Sequence, residues 1–443
     1  MSKPVVAIVG RPNVGKSSLF NTLYGERLSI VADTPGVTRD RIYAETTWRG
    51  REFLMIDTGG IEPGNSEDVI LKQMRLQAEI AIETADVILF MCDLKAGLTA
   101  ADEEIAVMLR KAGRPVVVAV NKSDYVGDAP PEFYEFYNLG LEDVCAISAA
   151  HRLGLGEMLD MIYEKFPPEE ENDGSDETVR VAIIGRPNVG KSSLTNRMTG
   201  QERSIVSDVA GTTRDAIDTE IKYDGKEYVF VDTAGLRRKS KIKEDLERYS
   251  IIRTVSAVEK CDVAVLMIDA VEGVTEQDAK IIGIAHERGR GIIICVNKWD
   301  AIEKDDKTMY RYRDKIVQIL SFIPYAEILF ISALTGQRVT KLFESIDVVL
   351  ENQSLRIKTG VLNEIMTEAV ALQQPPTDKG KRLKLFYITQ TGIKPPTFVI
   401  FCNDKELFHF SYQRYIENKI REAFGFSGTS IKMIIRERGE NSK

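Results

Sequence analysis

The chain has 443 residues, 43% of them hydrophobic and 28% charged, and carries a net charge of −8. At roughly 150 residues per domain, about three domains are expected, each able to bury its own core. The longest apolar runs are strand-sized, far short of the roughly 20 residues a membrane-spanning helix needs, and the net negative charge excludes a simple polyanion binder over the whole molecule.

In chain order, MSKPVVAIVG opens on a strand pattern, with neither an apolar leader nor a cleavage site. The segment GRPNVGKSSL then runs from Gly10 to Leu19, with P-loop spacing at Gly10, Gly15, Lys16 and Ser17. TPGVTRD follows at Thr34–Asp40, and EFLMIDT leads into Asp57-Thr-Gly-Gly60. DVILFMCD and PVVVAVNK read as further strands, the last ending in Asn121-Lys122-Ser123-Asp124; Ile147-Ser148-Ala149 comes next. Then the series repeats. The P-loop returns as Gly185, Gly190, Lys191 and Ser192, TTRD around Thr213, and DTAG at Asp232–Gly235. NKWD returns at Asn297, Lys298 and Asp300, and ISA brings Ser332 and Ala333. Insertions fall between motifs while each motif keeps its spacing, so this is a duplicated domain. The join, PPEEENDGSDE at Pro167–Glu177, is acidic and lacks hydrophobics, the composition of a flexible linker. Strands alternating with helical patterns predict a mainly parallel α/β sheet in each copy, with all motifs at the carboxyl ends of strands.

The chemistry follows from the residue types. The P-loop glycines turn backbone N–H groups onto phosphate oxygens, and the following helix adds its positive dipole end. Lys16 and Lys191 are expected on the β and γ phosphates, and the Ser17 and Ser192 hydroxyls on Mg²⁺. Ser18 and Ser193, next in the loops, join the predicted nucleotide set. Thr38 and Thr213 are placed to close onto Mg²⁺ and the γ-phosphate. Asp57 and Asp232 supply carboxylates to the metal shell, while Gly60 and Gly235 offer N–H groups to the γ-phosphate. Lys16, Thr38, Lys191 and Thr213 are therefore the expected catalytic residues. Guanine is named by Asp124 and Asp300, whose carboxylates can accept from both N1–H and the exocyclic amine; adenine has no such donor pair. Lys122 and Lys298 can lay their stems over the base, Asn121 and Asn297 complete the motif, and the Ser148-Ala149 and Ser332-Ala333 turns offer an N–H to the guanine oxygen. Ile61 and Leu236 follow the glycine of DxxG, where many G proteins carry a water-orienting glutamine, so intrinsic hydrolysis is expected to be slow.

From Glu351 onward, 15 Lys+Arg stand against 10 Asp+Glu, a net of +5, which leaves −13 for the remainder. This last region reads as helix, strand, strand, helix, strand. Its one GxxG, Gly425-Phe-Ser-Gly428, lies between the last helix and the last strand, where it is expected to end the helix. A conventional KH module carries that loop between two helices and clamps RNA with it. Basic residues Lys379, Lys381, Arg382, Lys384 and Lys394 are candidates for phosphate contact, as is the stretch Arg237–Lys243. The three histidines have no metal-ligand spacing. The five scattered cysteines read as reduced, buried thiols of a cytoplasmic protein.

In this order and repeated, the motifs resemble the bacterial tandem-G-domain GTPases of the Der (EngA) family over essentially the whole chain. The resemblance implies two P-loop G domains at 1–166 and 178–352, an acidic linker at 167–177, and an α+β KH-like domain at 353–443. It implies binding of GTP/GDP with Mg²⁺ and hydrolysis of GTP to GDP and phosphate, and action as a monomer in assembly of the large ribosomal subunit, with rRNA and ribosomal proteins as partners. It further implies K⁺ held by Asn13 and Asn188; the alternative is that these asparagines only cap a turn. Two other classes are disfavoured. A metabolic phosphoryl-transfer enzyme does not account for NKxD, and a membrane- or polymer-associated GTPase would want a lipidation motif, an anchor or heptads.

Overall fold

The structure, a computed structural model, describes residues 3–24, 43–59, 67–124, 129–168, 178–200, 205–206, 218–231, 246–378 and 380–438. These divide into two compact units, one comprising 3–168 with 246–260, the other 178–231 with 261–438.

The first unit contains β1 (Val5–Gly10), α1 (Lys16–Tyr24), β2 (Tyr43–Trp48), β3 (Arg51–Asp57), α2 (Glu67–Thr84), β4 (Val87–Asp93), α3 (Ala100–Ala112), β5 (Val116–Asn121), β6 (Asp143–Ala146) and α4 (Leu155–Glu164). The sheet order is β2-β3-β1-β4-β5-β6. Among the described strands of this sheet, only the β2–β3 pairing is antiparallel. Every residue of β1, β4 and β5 is buried, which is why they read as unbroken apolar runs; a parallel sheet covered on both faces has no polar side. Helix α3 starts at a capping box, with Thr99 and Asp102 each bonding the other's backbone, and ends at Gly113 in the left-handed region.

The second repeat supplies β7 (Val179–Ile184), α5 (Lys191–Thr199), β8 (Ile205–Val206), β9 (Thr219–Tyr223), β10 (Lys226–Val231), α6 (Leu246–Lys260), β11 (Val263–Asp269), α7 (Glu276–Glu287), β12 (Gly291–Asn297), α8 (Thr308–Ile319), β13 (Glu327–Phe330) and α9 (Lys341–Ser354). Its sheet runs β13-β12-β11-β7-β10-β9-β8, the first arrangement again with one short edge strand added. Helix α6 packs within the first unit, against α2. Arg253 reaches Glu83 at 2.6 Å, the buried Ser256 hydroxyl donates to the Thr84 carbonyl at 2.9 Å, and Lys260 lies 3.7 Å from Asp86.

The C-terminal region forms α10 (Thr359–Leu372), a two-residue pair β14 (Thr377–Asp378) and β15 (Lys381–Arg382), then β16 (Leu385–Gly392), β17 (Thr397–Cys402), α11 (Phe410–Phe424) and β18 (Lys432–Glu437). Strand β17 pairs antiparallel with β16 and parallel with β18. Leu362 and Met366 of α10, Ile388, Phe398 and Ile400 of the sheet, and Ile416 and Ile420 of α11 fill one core.

This region shares a unit with the second repeat, and the GxxG loop joins them. Gly425 ends α11, its N–H donating to the Arg421 carbonyl. Three residues on, the Gly428 carbonyl accepts from Ile292 N–H at 2.7 Å and its own N–H donates to the Tyr325 carbonyl at 2.7 Å. Gly428 has φ +69°, and a Cβ there would overlap Val349; only glycine allows both the conformation and the approach. The Ser427 hydroxyl donates to Glu327 at 2.8 Å, and the Arg421 guanidinium lies 4.2 Å from the Tyr325 ring centre. Tyr325 in turn bonds His286 Nδ1 at 2.7 Å. Burial, then the Arg421 charge, pushes the His286 pKa down to about 4, so it is neutral at pH 7. The loop thus ends the helix, as expected, and also docks the region.

All five cysteines are buried, and none is joined in a disulfide. Among the described residues no helix is long and apolar enough to cross a membrane.

Candidate functional site

Strand β1 lies between β3 and β4, so its carboxyl end delivers the first P-loop to the middle of the sheet edge. The ends of β3, β4 and β5 bring Asp57, Asp93 and Asn121 to the same edge. Asn121 is the tie. Its Nδ2 donates to the Val14 carbonyl at 2.7 Å and its Oδ1 accepts from Ala149 N–H at 2.9 Å. One buried amide therefore joins the phosphate loop to the turn after β6. The second copy repeats this: Asn297 donates to the Val189 carbonyl at 2.8 Å and accepts from Ala333 N–H at 2.9 Å. The approach needs glycine beneath it. Gly15 and Gly190 have φ near +100°, and a Cβ on either would overlap the asparagine Nδ2.

The Lys16 ammonium is held by the carbonyls of Gly10 and Arg11 at 2.6 and 2.7 Å, and that of Lys191 by Gly185 and Arg186 at 2.6 Å each. Burial brings both pKa values down from 10.5 to about 8, with Asp57 opposing the shift at Lys16 and Asp278 at Lys191. Both lysines stay mainly cationic at neutral pH and are poised for an anionic ligand. The Ser17 hydroxyl donates to Asp57 Oδ2 at 3.2 Å. A hydroxyl and a carboxylate converging beside the lysine are hard oxygen donors of the kind Mg²⁺ takes together with phosphate oxygens.

At the base end, Lys122 donates to Asp93 and Lys298 to Asp269, which anchors both long stems. Asp124 Oδ1 accepts from the Ser148 hydroxyl at 2.8 Å and Oδ2 from Lys95 Nζ at 2.8 Å. These two bonds, Lys95 first, hold its pKa below the usual value, so it remains a carboxylate acceptor. Asp300 lies in a short 3₁₀ turn, Trp299–Ala301. Its neighbour Trp299 is buried, packed on Phe330 at 4.5 Å between ring centres and edge-on to Tyr312 at 5.3 Å. Ser332 Oγ accepts from Thr335 N–H at 3.1 Å.

Asn13 and Asn188 have φ +64° and +65° and are exposed. Asparagine tolerates the left-handed region better than most residues, so the backbone alone gives a reason for the residue type. Ser18 and Ser193 lie in the first turns of α1 and α5, on their exposed sides. Thr38, Gly60, Thr213, Asp232 and Gly235 lie outside the described residues, as do Ile61, Leu236, Lys379, the stretch 237–243 and linker residues 169–177.

Three supporting groups were not anticipated. Lys95 is one. Asp93 and Asp269 are another, each at the end of an apolar strand. The third is the buried Asp102 and Asp278, which hold the P-loop arginines: Arg11 Nε donates to Asp102 at 3.0 Å and Arg186 Nε to Asp278 at 3.1 Å. Their signal was the Thr-x-x-Asp of TAAD and TEQD, a capping-box spacing that recurs once per copy.

Family models agree with this twofold plan. One described as "50S ribosome-binding GTPase" matches residues 5–122 and again 180–298. A second, "KH-domain-like of EngA bacterial GTPase enzymes, C-terminal", matches 356–436. The chain is 68% identical to the GTPase Der of Lachnoclostridium phytofermentans over 441 residues, covering 100% of both chains. It is equally 68% identical, over 100% of both, to the GTPase Der of Agathobacter rectalis, and 58% identical to that of Acetivibrio thermocellus over 99% of both. Resemblance of this extent, spanning both repeats and the region behind them, leaves one conclusion: the chain belongs to the GTPase Der (EngA) family, GTP-binding GTPases with tandem G domains and a C-terminal KH-like domain.

Proposed function

We propose that the chain is a GTP-operated switch in maturation of the large ribosomal subunit, turning GTP into GDP and phosphate slowly, in the cytoplasm, as a monomer. The observation that carries this reading is the asparagine tie built twice. Asn121 and Asn297 each lock a phosphate loop to the turn that would meet the guanine oxygen. The ribosomal part is supported by the likeness to a family described as 50S ribosome-binding. We assign the G domains to 1–166 and 178–352, the linker to 167–177 and the KH-like domain to 353–443.

Each copy would work alike. Lys16 or Lys191 exchanges its loop carbonyls for the β and γ phosphate oxygens, a charge-assisted contact. Asp124 or Asp300 accepts from the two guanine donors, over the stem of Lys122 or Lys298. Ser17 with Asp57, and Ser192 with Asp232, would hold Mg²⁺, which would neutralise charge on those phosphates when bound. Thr38 and Thr213 close onto the γ-phosphate, which Gly60 and Gly235 also meet, and its loss releases both segments. Isoleucine and leucine after DxxG orient no water. A K⁺ ion beside Asn13 and Asn188 would supply positive charge in place of an arginine finger. Replacing Na⁺ by K⁺ at constant ionic strength should raise the hydrolysis rate; equal rates would remove the K⁺ assignment. For the ribosomal reading, the full chain is sedimented with large subunits in a non-hydrolysable GTP analogue and in GDP. We expect co-sedimentation in the analogue, falling as salt rises; none in either nucleotide would refute it.

A further inference from the structure

The C-terminal sheet has a face its helices do not cover. Alternation along the strands sends Ile388, Phe398 and Ile400 into the helix-covered core and Tyr387 and Phe401 to the opposite side. Tyr387 and Phe401 are register partners, their rings stacked with centres 4.4 Å apart and planes 12° from parallel. Phe401 is in turn the register partner of Arg436, which puts a guanidinium in the same row. Phe386 sits at a bulge between Leu385 and Tyr387, with Arg438 5.2 Å from its ring centre. Phe386 and Tyr387 are 39% and 42% exposed, although a strand buried on both sides would hide them. The next row inward contains Val399, which is buried, so the open patch is confined to this end of the sheet.

Charge selects the occupant. The region from Glu351 onward carries a net +5, and the exposed Lys381, Arg382 and Lys384 lead directly into β16. The acidic groups near this end are Asp404, Glu406 and Glu437. Asp404 and Glu437 accept from backbone N–H groups of Glu406 and Lys405, at 3.0 Å each. The GxxG loop that clamps RNA in conventional KH modules is committed elsewhere, with Gly428 buried against Val349. Aromatic faces beside arginines and flanked by lysines are the surface on which unpaired bases stack while phosphates are neutralised.

We propose that Phe386, Tyr387 and Phe401, with Arg436 and Arg438, form a stacking platform for unpaired bases of single-stranded RNA, whose phosphates lie along Lys381, Arg382 and Lys384. This rests on the ribosomal reading and names the face that meets RNA. Each stacked base is worth enough that losing one ring weakens binding about tenfold.

The test uses the full chain, with a fluorescein-labelled 12-nucleotide single-stranded RNA and the matching duplex, followed by anisotropy. Tyr387→Ala and Phe386→Ala should each weaken single-strand binding about tenfold, with GTP hydrolysis unchanged. Tyr387→Phe, which keeps the ring, should bind as the unaltered chain does. The duplex, whose bases are already stacked, should bind more weakly. Should Tyr387→Ala melt early, Phe386→Leu gives the same comparison at an exposed position. Single-strand binding indifferent to loss of either ring, or a preference for duplex, overturns the platform. An unaltered chain that sediments with large subunits yet ignores the oligonucleotide overturns the platform alone; one that binds the oligonucleotide but no subunit overturns the ribosomal reading alone.

Discussion

The two nucleotide sites are alike at the phosphate end and differ at the base end. Both P-loops carry the same ten residues, both lysines rest on the same two carbonyls, and both asparagines make the same pair of bonds. At the guanine end, Asp124 is held by Lys95 and Ser148. The position matching Lys95 in the second copy is Val271, 62% exposed, and Asp300 makes no such side-chain bond among the described residues. Instead a buried Trp299 fixes the turn that carries Asp300, where the first copy has the small Ser123. One aspartate is oriented by polar partners and the other by packing of its neighbour. Duplication preserved the part whose geometry is set by backbone groups, and the base loop diverged because more than one support can aim a carboxylate.

The largest effect should come from the shared tie. Asn121→Ala leaves the Val14 carbonyl and the Ala149 N–H unpaired, at about 1–3 kcal/mol each. Asn297→Ala does the same to Val189 and Ala333. Each variant should lose one nucleotide site in calorimetric titration and keep the other; loss in one variant only would break the equivalence of the copies, and two sites surviving in both would refute the role of the tie.

Asp124→Asn and Asp300→Asn come next. Each should weaken GTP at its own site and gain xanthosine triphosphate, whose exocyclic carbonyl needs the amide donor. Competition binding checks this. A switch in one copy only would show that the packed turn and the polar-held one do not present their carboxylates alike.

A pH series should then treat the copies equally. Lys16 and Lys191 have free-protein pKa values of about 8, and bound phosphate charge must raise them. Nucleotide affinity is therefore full below pH 8 and falls as pH rises above it, over the interval up to the raised bound-state value. Flat affinity from pH 7 to 9.5 at either site would contradict the buried-lysine account there.

The smallest effect sharpens the difference. Lys95→Val makes the first site resemble the second. The pair is exposed, so its contribution is small and screened by salt. GTP binding at the first site should weaken slightly at low salt and not at all at high salt. Because Lys95 helps hold the Asp124 pKa down, removing it should also move the acid-side loss of guanine binding to higher pH. Val271→Ala, its counterpart, should change nothing.

Much of both sites was legible from spacing. Gly-x4-Gly-Lys-Ser, DxxG, NKxD and SA each lie within a few residues of a strand end, so chain order and a parallel sheet already bring them to one edge. The Thr-x-x-Asp boxes were equally local and readable, but their second use, holding Arg11 and Arg186 across about 90 residues, was not. Lys95 reaching Asp124 is of that kind too, since nothing in the residues around either announces the other.

By itself the sequence determined that there are two G domains, which nucleotide they bind and in what order their loops come, because these rest on local backbone conformation and on periodicity. Only the tertiary structure decided that α6 packs on α2 and that Gly428 docks the C-terminal region against β12. It likewise decided which face of the last sheet is left with its aromatic rings open. Each of these joins surfaces far apart in the chain, and such a contact is selected by shape and by the free energy of burying both partners, which no single segment carries.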